Sequence, residues 1–251
     1  MIDEADAHSE APDIKGRRAI VTGGTTGIGR AIAVLLASYG VKTFICGRTP
    51  EHLDDALQRI REVGEGDGIN VDLASPVDMD RFFDSARAYL GDIDIAVINA
   101  AVPAAALADA GESEARYQIE TDFTAYLICA QQAARCMSAG SDIIIIGSMT
   151  AVSRRPGSSI YVAAKSGIQG FAQSFRKELA EQDIKVGLIE PGFTGADFQY
   201  PEFPPEKQKE LIGKHRMLRA EDIAVAAHYM LVQPRRTAVS LIRVETRLDH
   251  P

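Results

Sequence analysis

The chain has 251 residues, of which 46% are hydrophobic and 25% charged, and its net charge is −8. This composition suits one globular domain with a large core. The negative charge disfavours nucleic acid and anionic membrane surfaces as partners, and no apolar run approaches the roughly 18 residues that span a bilayer. Three cysteines in apolar segments, without a CxxC pair, favour reduced thiols in a cytoplasmic protein over disulfides or a zinc site.

Strand-like and helix-like segments alternate along the chain. Residues 1–13 are acidic and lack a hydrophobic region, which predicts a flexible tail and neither a signal peptide nor an anchor. There follow, in chain order, a strand at 18–22, a helix at 28–40, a strand at 41–46, a helix at 49–64, a weaker strand at 68–71, a helix at 76–90, a strand at 94–98, a helix at 112–138, a strand at 142–147, a helix at 158–181, a strand at 184–189 and a helix at 220–232. This alternation predicts an α/β fold, namely a Rossmann-type doubly wound parallel sheet of about seven strands with helices on both faces, in a single domain over 14–251.

One segment, residues 193–219, breaks this rhythm because it contains three prolines and several aromatic residues. Long irregular segments in compact domains are often functional, and this one follows a predicted strand. We predict that it forms a lid over a site at the carboxyl edge of the sheet. The alternative is an irregular surface insertion that covers a helix.

A glycine turn, TGGTTGIG at 22–29, lies between the first strand and the first helix. Glycines allow the backbone to turn tightly and to approach a pyrophosphate, and the helix N-terminus offers unpaired N–H groups and a positive dipole end. A flexible connecting turn is the alternative. Its place after the first strand of an alternating chain favours a dinucleotide site.

Further motifs follow the glycine turn in a fixed order. They are VDL at 71–73, INAA at 98–101, Ser148, Tyr161, Lys165 and the Pro-Gly pair at 191–192, with Ser148 thirteen residues before Tyr161. In this order and spacing the chain resembles the short-chain dehydrogenase/reductase family from about Ile14 to Val244. The resemblance implies the Rossmann-type fold, a nicotinamide dinucleotide cofactor and an oxidoreductase activity.

The resemblance also implies which residues bind the cofactor. They are Gly23, Thr25, Thr26, Gly27, Ile28, Gly47, Arg48, Asp72, Leu73, Asn99, Tyr161, Lys165, Pro191, Gly192 and Thr194. NAD-preferring relatives usually have an acidic residue near the point where Gly47 and Arg48 stand, and a guanidinium can hold a 2′-phosphate that a carboxylate would repel. We therefore favour NADP(H), while NAD(H) is possible because Thr26 stands where many NADP-using relatives have a basic residue.

Tyr161 and Lys165 are four residues apart in a predicted helix and so share one face. A nearby ammonium favours the phenolate form of a tyrosine. The resemblance implies that Tyr161 exchanges the alcohol proton, that Lys165 assists it and binds the nicotinamide ribose, and that Ser148 orients the carbonyl oxygen. The spacing of Tyr161 and Lys165 alone is also compatible with two side chains on a solvated helix face. Ser148 and the glycine turn favour the catalytic interpretation.

Three positions depart from the family pattern. Many members have Asn-Asn-Ala-Gly after the fourth strand, whereas this chain has INAA at 98–101, in which Asn99 keeps the second Asn. Asp122 aligns with an Asn that bends its helix and supports a water linking Lys165 to solvent. Asp122 either preserves this relay with a shifted pH optimum or is only a structural substitute held by backbone N–H groups. Ala196 stands where the family usually has a Thr that contacts the cofactor carboxamide, and the sequence leaves open whether Thr194 takes its place.

We therefore predict an NAD(P)-dependent oxidoreductase that interconverts a secondary alcohol and a ketone or aldehyde, with Tyr161 as general acid/base. The alternative is a catalytically silent dinucleotide-binding regulator or scaffold, since a fold alone does not fix function. A sugar epimerase or dehydratase fits less well, because those relatives are longer chains. The partner would be a small alcohol or carbonyl compound, and the resemblance implies a homotetramer or homodimer formed through helices 112–138 and 158–181.

Overall fold

The structure of the protein is a computed structural model that describes residues 12–103, 106–195 and 203–248. Most of the predicted tail at 1–13, together with Ala196 and part of the predicted lid, lies outside the described residues.

Seven parallel strands form one sheet in the described part of the chain. They are β1 (Arg18–Val21), β2 (Lys42–Gly47), β3 (Gly66–Asn70), β4 (Ile95–Ile98), β5 (Asp142–Ile146), β6 (Lys185–Pro191) and β7 (Leu241–Val244). Their order in the sheet is β3-β2-β1-β4-β5-β6-β7, and every neighbouring pair is parallel. The order reverses between β1 and β4, and parallel sheets open a crevice at such a switch point, outside the carboxyl ends of the strands.

Helices cover both faces of the sheet. They are α1 (Gly27–Ser38), α2 (Pro50–Val63), α3 (Pro76–Leu90), α4 (Glu112–Ile119), α5 (Ala125–Arg135), α6 (Thr150–Ser153), α7 (Ser159–Glu178), α8 (Pro205–Gly213) and α9 (Ala220–Leu231). On one face, α3, α5 and α7 bury side chains such as Phe82 and Ile168 against the sheet. On the other, α1, α2 and α9 bury side chains such as Ile32 and Ile223. The predicted fold class is confirmed.

The glycine-rich segment that forms β3 begins two residues earlier than predicted. A Cβ on Gly66 would lie 2.5 Å from the Cγ2 atom of Ile60 in α2, so this strand can lie beside the helix only because it lacks a side chain there. This segment has a weak strand propensity. It forms a strand because its backbone pairs with β2.

The helix predicted over 112–138 is divided into three parts. A π-helical turn at Glu120–Thr124 separates α4 from α5, and α5 ends at Arg135. Single π-helical turns within helices occur frequently at functional sites. Asp122 lies in this turn and is fully buried.

The segment predicted to be irregular, 193–219, contains a helix. Helix α8 begins with Pro205 in its first turn, where the fixed φ of proline suits a helix start. None of the described helices has the length and apolar character that crossing a bilayer requires.

Candidate active site

A cleft of about 1110 Å³ lies at the carboxyl edge of the sheet. All of the predicted cofactor-binding residues line it, namely Gly23, Thr25, Thr26, Gly27, Ile28, Gly47, Arg48, Asp72, Leu73, Asn99, Tyr161, Lys165, Pro191, Gly192 and Thr194. Ser148 lines the cleft as well, whereas Asp122 does not. The structure thus brings together segments that are as far apart in the chain as the glycine turn and the end of β6.

The glycine turn packs directly against the residues that follow β4. Gly23 has a φ of +62°, and a Cβ there would lie 2.8 Å from the Cα of Ala100. The side-chain amide of Asn99 donates to the carbonyl oxygens of Thr22 and Gly23, each at 3.1 Å. Any side chain at Gly23 is therefore disfavoured both by the backbone conformation and by the lack of space, and Asn99 braces the turn.

Helix α1 begins at Gly27, immediately after this turn. Its first turn has no acidic residue, and the side chain of Thr26 makes no capping hydrogen bond. A helix N-terminus of this kind carries a partial positive charge and suits an anionic group. A Cβ on Gly47, at the end of β2, would also collide with the Thr25 side chain. Glycines at 23 and 47 therefore allow the turn and the end of β2 to pack closely against their neighbours beside the N-terminus of α1.

Arg48, Tyr117 and Asp72 form a hydrogen-bonded row that we call the arginine end of the cleft. The Arg48 guanidinium donates to the Tyr117 hydroxyl at 2.6 Å, and this hydroxyl donates to an Asp72 carboxylate oxygen at 2.8 Å. Burial, followed by the bond to Asp72, raises the pKa of Tyr117. The sequence did not point to Tyr117, which lies in α4, well separated in the chain from both partners. Helix α3, which follows Asp72, is capped by the Ser75 side chain.

Tyr161, Lys165 and Tyr126 lie at the other end of the cleft, which we call the lysine end. Tyr161 and Lys165 follow each other by one turn in α7, and the Lys165 Nζ lies 5.4 Å from the centre of the Tyr161 ring. Ser148 follows β5, and its hydroxyl donates to the Thr150 hydroxyl at 2.9 Å and accepts from the Thr150 N–H at 3.1 Å. The structure therefore brings Ser148, Tyr161 and Lys165 to one cleft.

Lys165 is buried, with 1% of its surface exposed, and its ammonium has two acceptors. The Nζ atom donates to the Tyr126 hydroxyl at 2.7 Å and to the Ile146 carbonyl oxygen at 3.0 Å. Burial lowers the pKa of Lys165 to about 8, and the negative charge of Asp122 partly opposes this shift. Tyr126 was not predicted as a site residue. Its one sequence signal is its position four residues after Asp122 in a helical segment.

Asp122 is held by groups other than Lys165. One carboxylate oxygen accepts from the backbone N–H of Val102 at 2.8 Å, and the other accepts from the Gln118 side-chain amide at 3.5 Å. Burial raises the pKa of Asp122, against the opposing influences of the Val102 N–H and the Lys165 charge. Asp122 thus accepts a hydrogen bond from a backbone N–H, as expected for a structural role, and its charge also raises the pKa of Lys165.

The two ends of the segment 193–219 contact each other beside the cleft. Thr194 forms an isolated parallel bridge with Leu218, and its hydroxyl donates to the carbonyl oxygen of Gly192 at 3.0 Å. The rings of Phe193 and Phe203 meet edge to face, with centres 5.2 Å apart. Phe193 and Thr194 line the cleft, so the start of this segment forms part of its wall.

The family model of the short chain dehydrogenases matches residues 17–207. This match covers both ends of the cleft, and the chain belongs to this family of oxidoreductases.

Individual relatives extend this assignment. The 3-oxoacyl-(acyl-carrier-protein) reductase of Haemophilus influenzae is 32% identical over 226 residues, which are 86% of this chain and 91% of the relative. Carbonyl reductase family member 4 of Danio rerio is 31% identical over 72% of this chain and 77% of the relative. Among solved structures, a short chain dehydrogenase from Burkholderia cenocepacia in complex with NADP superposes with a TM-score of 0.83 at 26% identity, covering 93% of this chain and 98% of the other.

Proposed function

We propose that the protein is an NAD(P)-dependent oxidoreductase that interconverts a secondary alcohol and a ketone or aldehyde, with Tyr161 as general acid/base. The observation that carries this proposal is that Ser148, Tyr161 and Lys165 line the same cleft as the glycine turn. Binding of a dinucleotide alone would not require a serine hydroxyl, a phenol and an ammonium at one end of the cleft.

The residues present fit a nicotinamide dinucleotide. The N-terminus of α1, which has no acidic residue in its first turn and no side-chain cap, suits a pyrophosphate. Asp72 would hold the adenosine part, Arg48 would hold a 2′-phosphate on it, and Lys165 would hold the ribose next to the nicotinamide. When bound, the cofactor supplies or accepts a hydride.

The protein's own groups would then move the proton and orient the substrate. The Tyr161 hydroxyl donates its proton to the carbonyl oxygen in reduction and accepts it from the alcohol in oxidation. The Lys165 ammonium favours the phenolate electrostatically, which eases both directions near neutral pH. On substrate binding, the Ser148 hydroxyl would turn its single proton from the Thr150 hydroxyl to the carbonyl oxygen and position it, while still accepting from the Thr150 N–H.

We favour NADP(H) over NAD(H). Arg48 is the charged residue that directly follows β2, and its guanidinium already lies at the arginine end of the cleft through its bond to Tyr117. The presence of NADP in the Burkholderia relative supports this choice. The names of the two relatives, a 3-oxoacyl-(acyl-carrier-protein) reductase and a carbonyl reductase, support reduction of a carbonyl group.

We also propose that the segment 193–219 acts as a lid. This proposal is supported by the Thr194–Leu218 bridge, which brings the two ends of the segment together, and by Phe193 and Thr194, which line the cleft.

A homodimer or homotetramer would bury the outer face of α4 and α5. Ile119 and Ile128 are exposed on this helix pair and would be covered in such an assembly. Light scattering at micromolar concentration tests this, and a monomer would contradict it.

The activity is tested by following the absorbance of the reduced cofactor with a panel of ketones and aldehydes, using NADPH and NADH in parallel. We expect turnover with the wild-type protein and a loss of about 10²- to 10⁴-fold in kcat for Tyr161→Phe, because general acid/base catalysis is removed. Tyr89→Phe is the matched control, since the Tyr89 hydroxyl bonds Glu65 away from the cleft.

Two results would contradict the proposal in different ways. If Tyr161→Phe retains wild-type turnover, the assigned mechanism is wrong. If the wild-type protein binds NADPH but turns over no member of the panel, the catalytically silent regulator becomes the better interpretation.

A further inference from the structure

The hydroxyl of Tyr126 lies between two groups of the lysine end. It accepts a hydrogen bond from the Lys165 Nζ at 2.7 Å and donates one to the carbonyl oxygen of Asn99 at 2.8 Å. The centre of the Tyr126 ring is 4.0 Å from the same Nζ. Only 2% of the Tyr126 surface is exposed, so water cannot readily replace this hydroxyl.

We propose that Tyr126 is a positioning residue for Lys165, with its hydroxyl fixing the ammonium beside Tyr161 and linking it to the backbone that follows β4. This inference rests on the proposed function for its catalytic consequence, although the bond itself is independent of any reaction. The same hydroxyl connects Lys165 with Asn99, which braces the glycine turn. The Tyr126 hydroxyl thereby links the lysine end of the cleft to the glycine turn, which we expect to hold the pyrophosphate.

The alternative is that Tyr126 only fills the core. Its ring does belong to the apolar cluster on the face covered by α3, α5 and α7. A phenylalanine would fill nearly the same space, however, and would bring no hydroxyl to be satisfied in a buried position. The hydroxyl is therefore the part of the side chain whose role needs testing.

The charge of Lys165 depends on a small set of groups. Asp122 acts from the π-helical turn, Tyr126 from α5, Tyr161 from α7, and the Ile146 carbonyl from β5. Burial opposes the ammonium and lowers the pKa of Lys165 to about 8. Removing the Tyr126 hydroxyl takes away one of the two acceptors that stabilise the charged form. The pKa of Lys165 should therefore fall, and the ammonium should be lost at a lower pH.

The first experiment needs no turnover. The protein is labelled with ¹³C-lysine, and the signal of the Lys165 side chain, identified by its absence in Lys165→Met, is followed by NMR from pH 6 to pH 11 in cofactor-free protein. We expect Tyr126→Phe to lower the proton affinity of Lys165 by about tenfold, because a bond to a charged group is lost. Tyr89→Phe, which removes a hydroxyl far from Lys165, should leave it unchanged. An unchanged midpoint in Tyr126→Phe would overturn the proposal.

The second experiment reads the catalytic consequence. In Tyr126→Phe, the alkaline limb of kcat/KM for the reduced cofactor, which reports on the cofactor-free protein, should move to lower pH in step with the NMR titration. If the NMR midpoint moves but the wild-type protein shows no turnover, the proposed function fails and the positioning role stands. If turnover exists and its pH profile does not follow the NMR midpoint, the catalytic part of the inference is wrong.

Folding of the variant is checked by thermal melting. If Tyr126→Phe does not fold, Tyr126→Met replaces it, because methionine adapts to irregular core spaces and also lacks the hydroxyl. The same downward change is expected for it. If neither variant folds, Tyr126 acts through core stability and the proposal is overturned.

Discussion

The two ends of the cleft hold their charged groups in different surroundings. At the lysine end, Lys165 and Tyr126 are buried and each polar contact is made inside the protein. At the arginine end, Arg48 is exposed and Tyr117 is only half-buried. Charges interact strongly where water is excluded and weakly where water and salt screen them. We therefore expect the lysine end to control proton transfer and its pH dependence, and the arginine end to control the choice of cofactor.

Arg48→Ala tests the arginine end of the cleft. We expect its effect to be larger than those of Asp122→Asn and Tyr117→Phe, which are described below. Loss of a charge-assisted bond to a 2′-phosphate should raise the Kd of NADPH about 10- to 100-fold and leave that of NADH nearly unchanged. Because Arg48 is exposed, the loss should shrink as salt is added. Fluorescence titration with both cofactors measures this.

The matched control for this prediction is Arg59→Ala, which removes an exposed arginine of α2 that pairs with Asp55. It should change neither Kd. Equal losses for NADPH and NADH in Arg48→Ala would mean that Arg48 does not recognise a 2′-phosphate, and NADP(H) would no longer be favoured.

Much of the fold could be predicted because its signals are local. Strands such as β5, with four consecutive isoleucines, are buried on both faces and need no alternation to be recognised. The bounds of β3 were predicted less accurately, because its glycines have almost no strand propensity and the strand depends on pairing with β2. Helix α8 was missed because proline- and aromatic-rich surroundings concealed a short helix that begins at a proline.

The predicted site residues were found through motifs, whereas the residues that connect them were not. Tyr117 and Tyr126 each act through partners distant in the chain, as with the 39 residues that separate Tyr126 from Lys165. In the sequence, a single tyrosine in a helix is equally compatible with a position in the core and a position at the surface. These partners are set by the tertiary structure. Tyr117 meets Arg48 and Asp72 through its hydroxyl, and the packing of α5 against β4 places Tyr126 beside Lys165.

Asp122→Asn tests whether the lysine end depends on a second charge. The Asp122 carboxylate raises the pKa of Lys165, so its removal should lower that pKa further below its present value of about 8. Lys165 carries its charge below its pKa and loses it above. The alkaline limb of kcat should consequently move to lower pH, with a loss of about three- to tenfold at a fixed pH on that limb.

An asparagine oxygen can still accept from the Val102 N–H, so the fold should be retained. Glu120→Gln removes a carboxylate from the same π-helical turn and is the control, with an unchanged profile expected. A limb that stays in place in Asp122→Asn would mean that Asp122 has only the structural role of holding Val102.

Tyr117→Phe should have the smallest effect and tests whether the arginine end is ordered before the cofactor binds. The Tyr117 hydroxyl restrains the Arg48 guanidinium at 2.6 Å, and a restrained side chain loses less freedom on binding. We expect the Kd of NADPH to rise about two- to fivefold, as for the loss of one hydrogen bond near solvent. In the Arg48→Ala background the same change should have no effect on NADPH, because there is then no guanidinium to order. If Tyr117→Phe instead tightens NADPH binding, the hydroxyl competes with the phosphate for Arg48, and cofactor binding would have to break the row from Arg48 to Asp72.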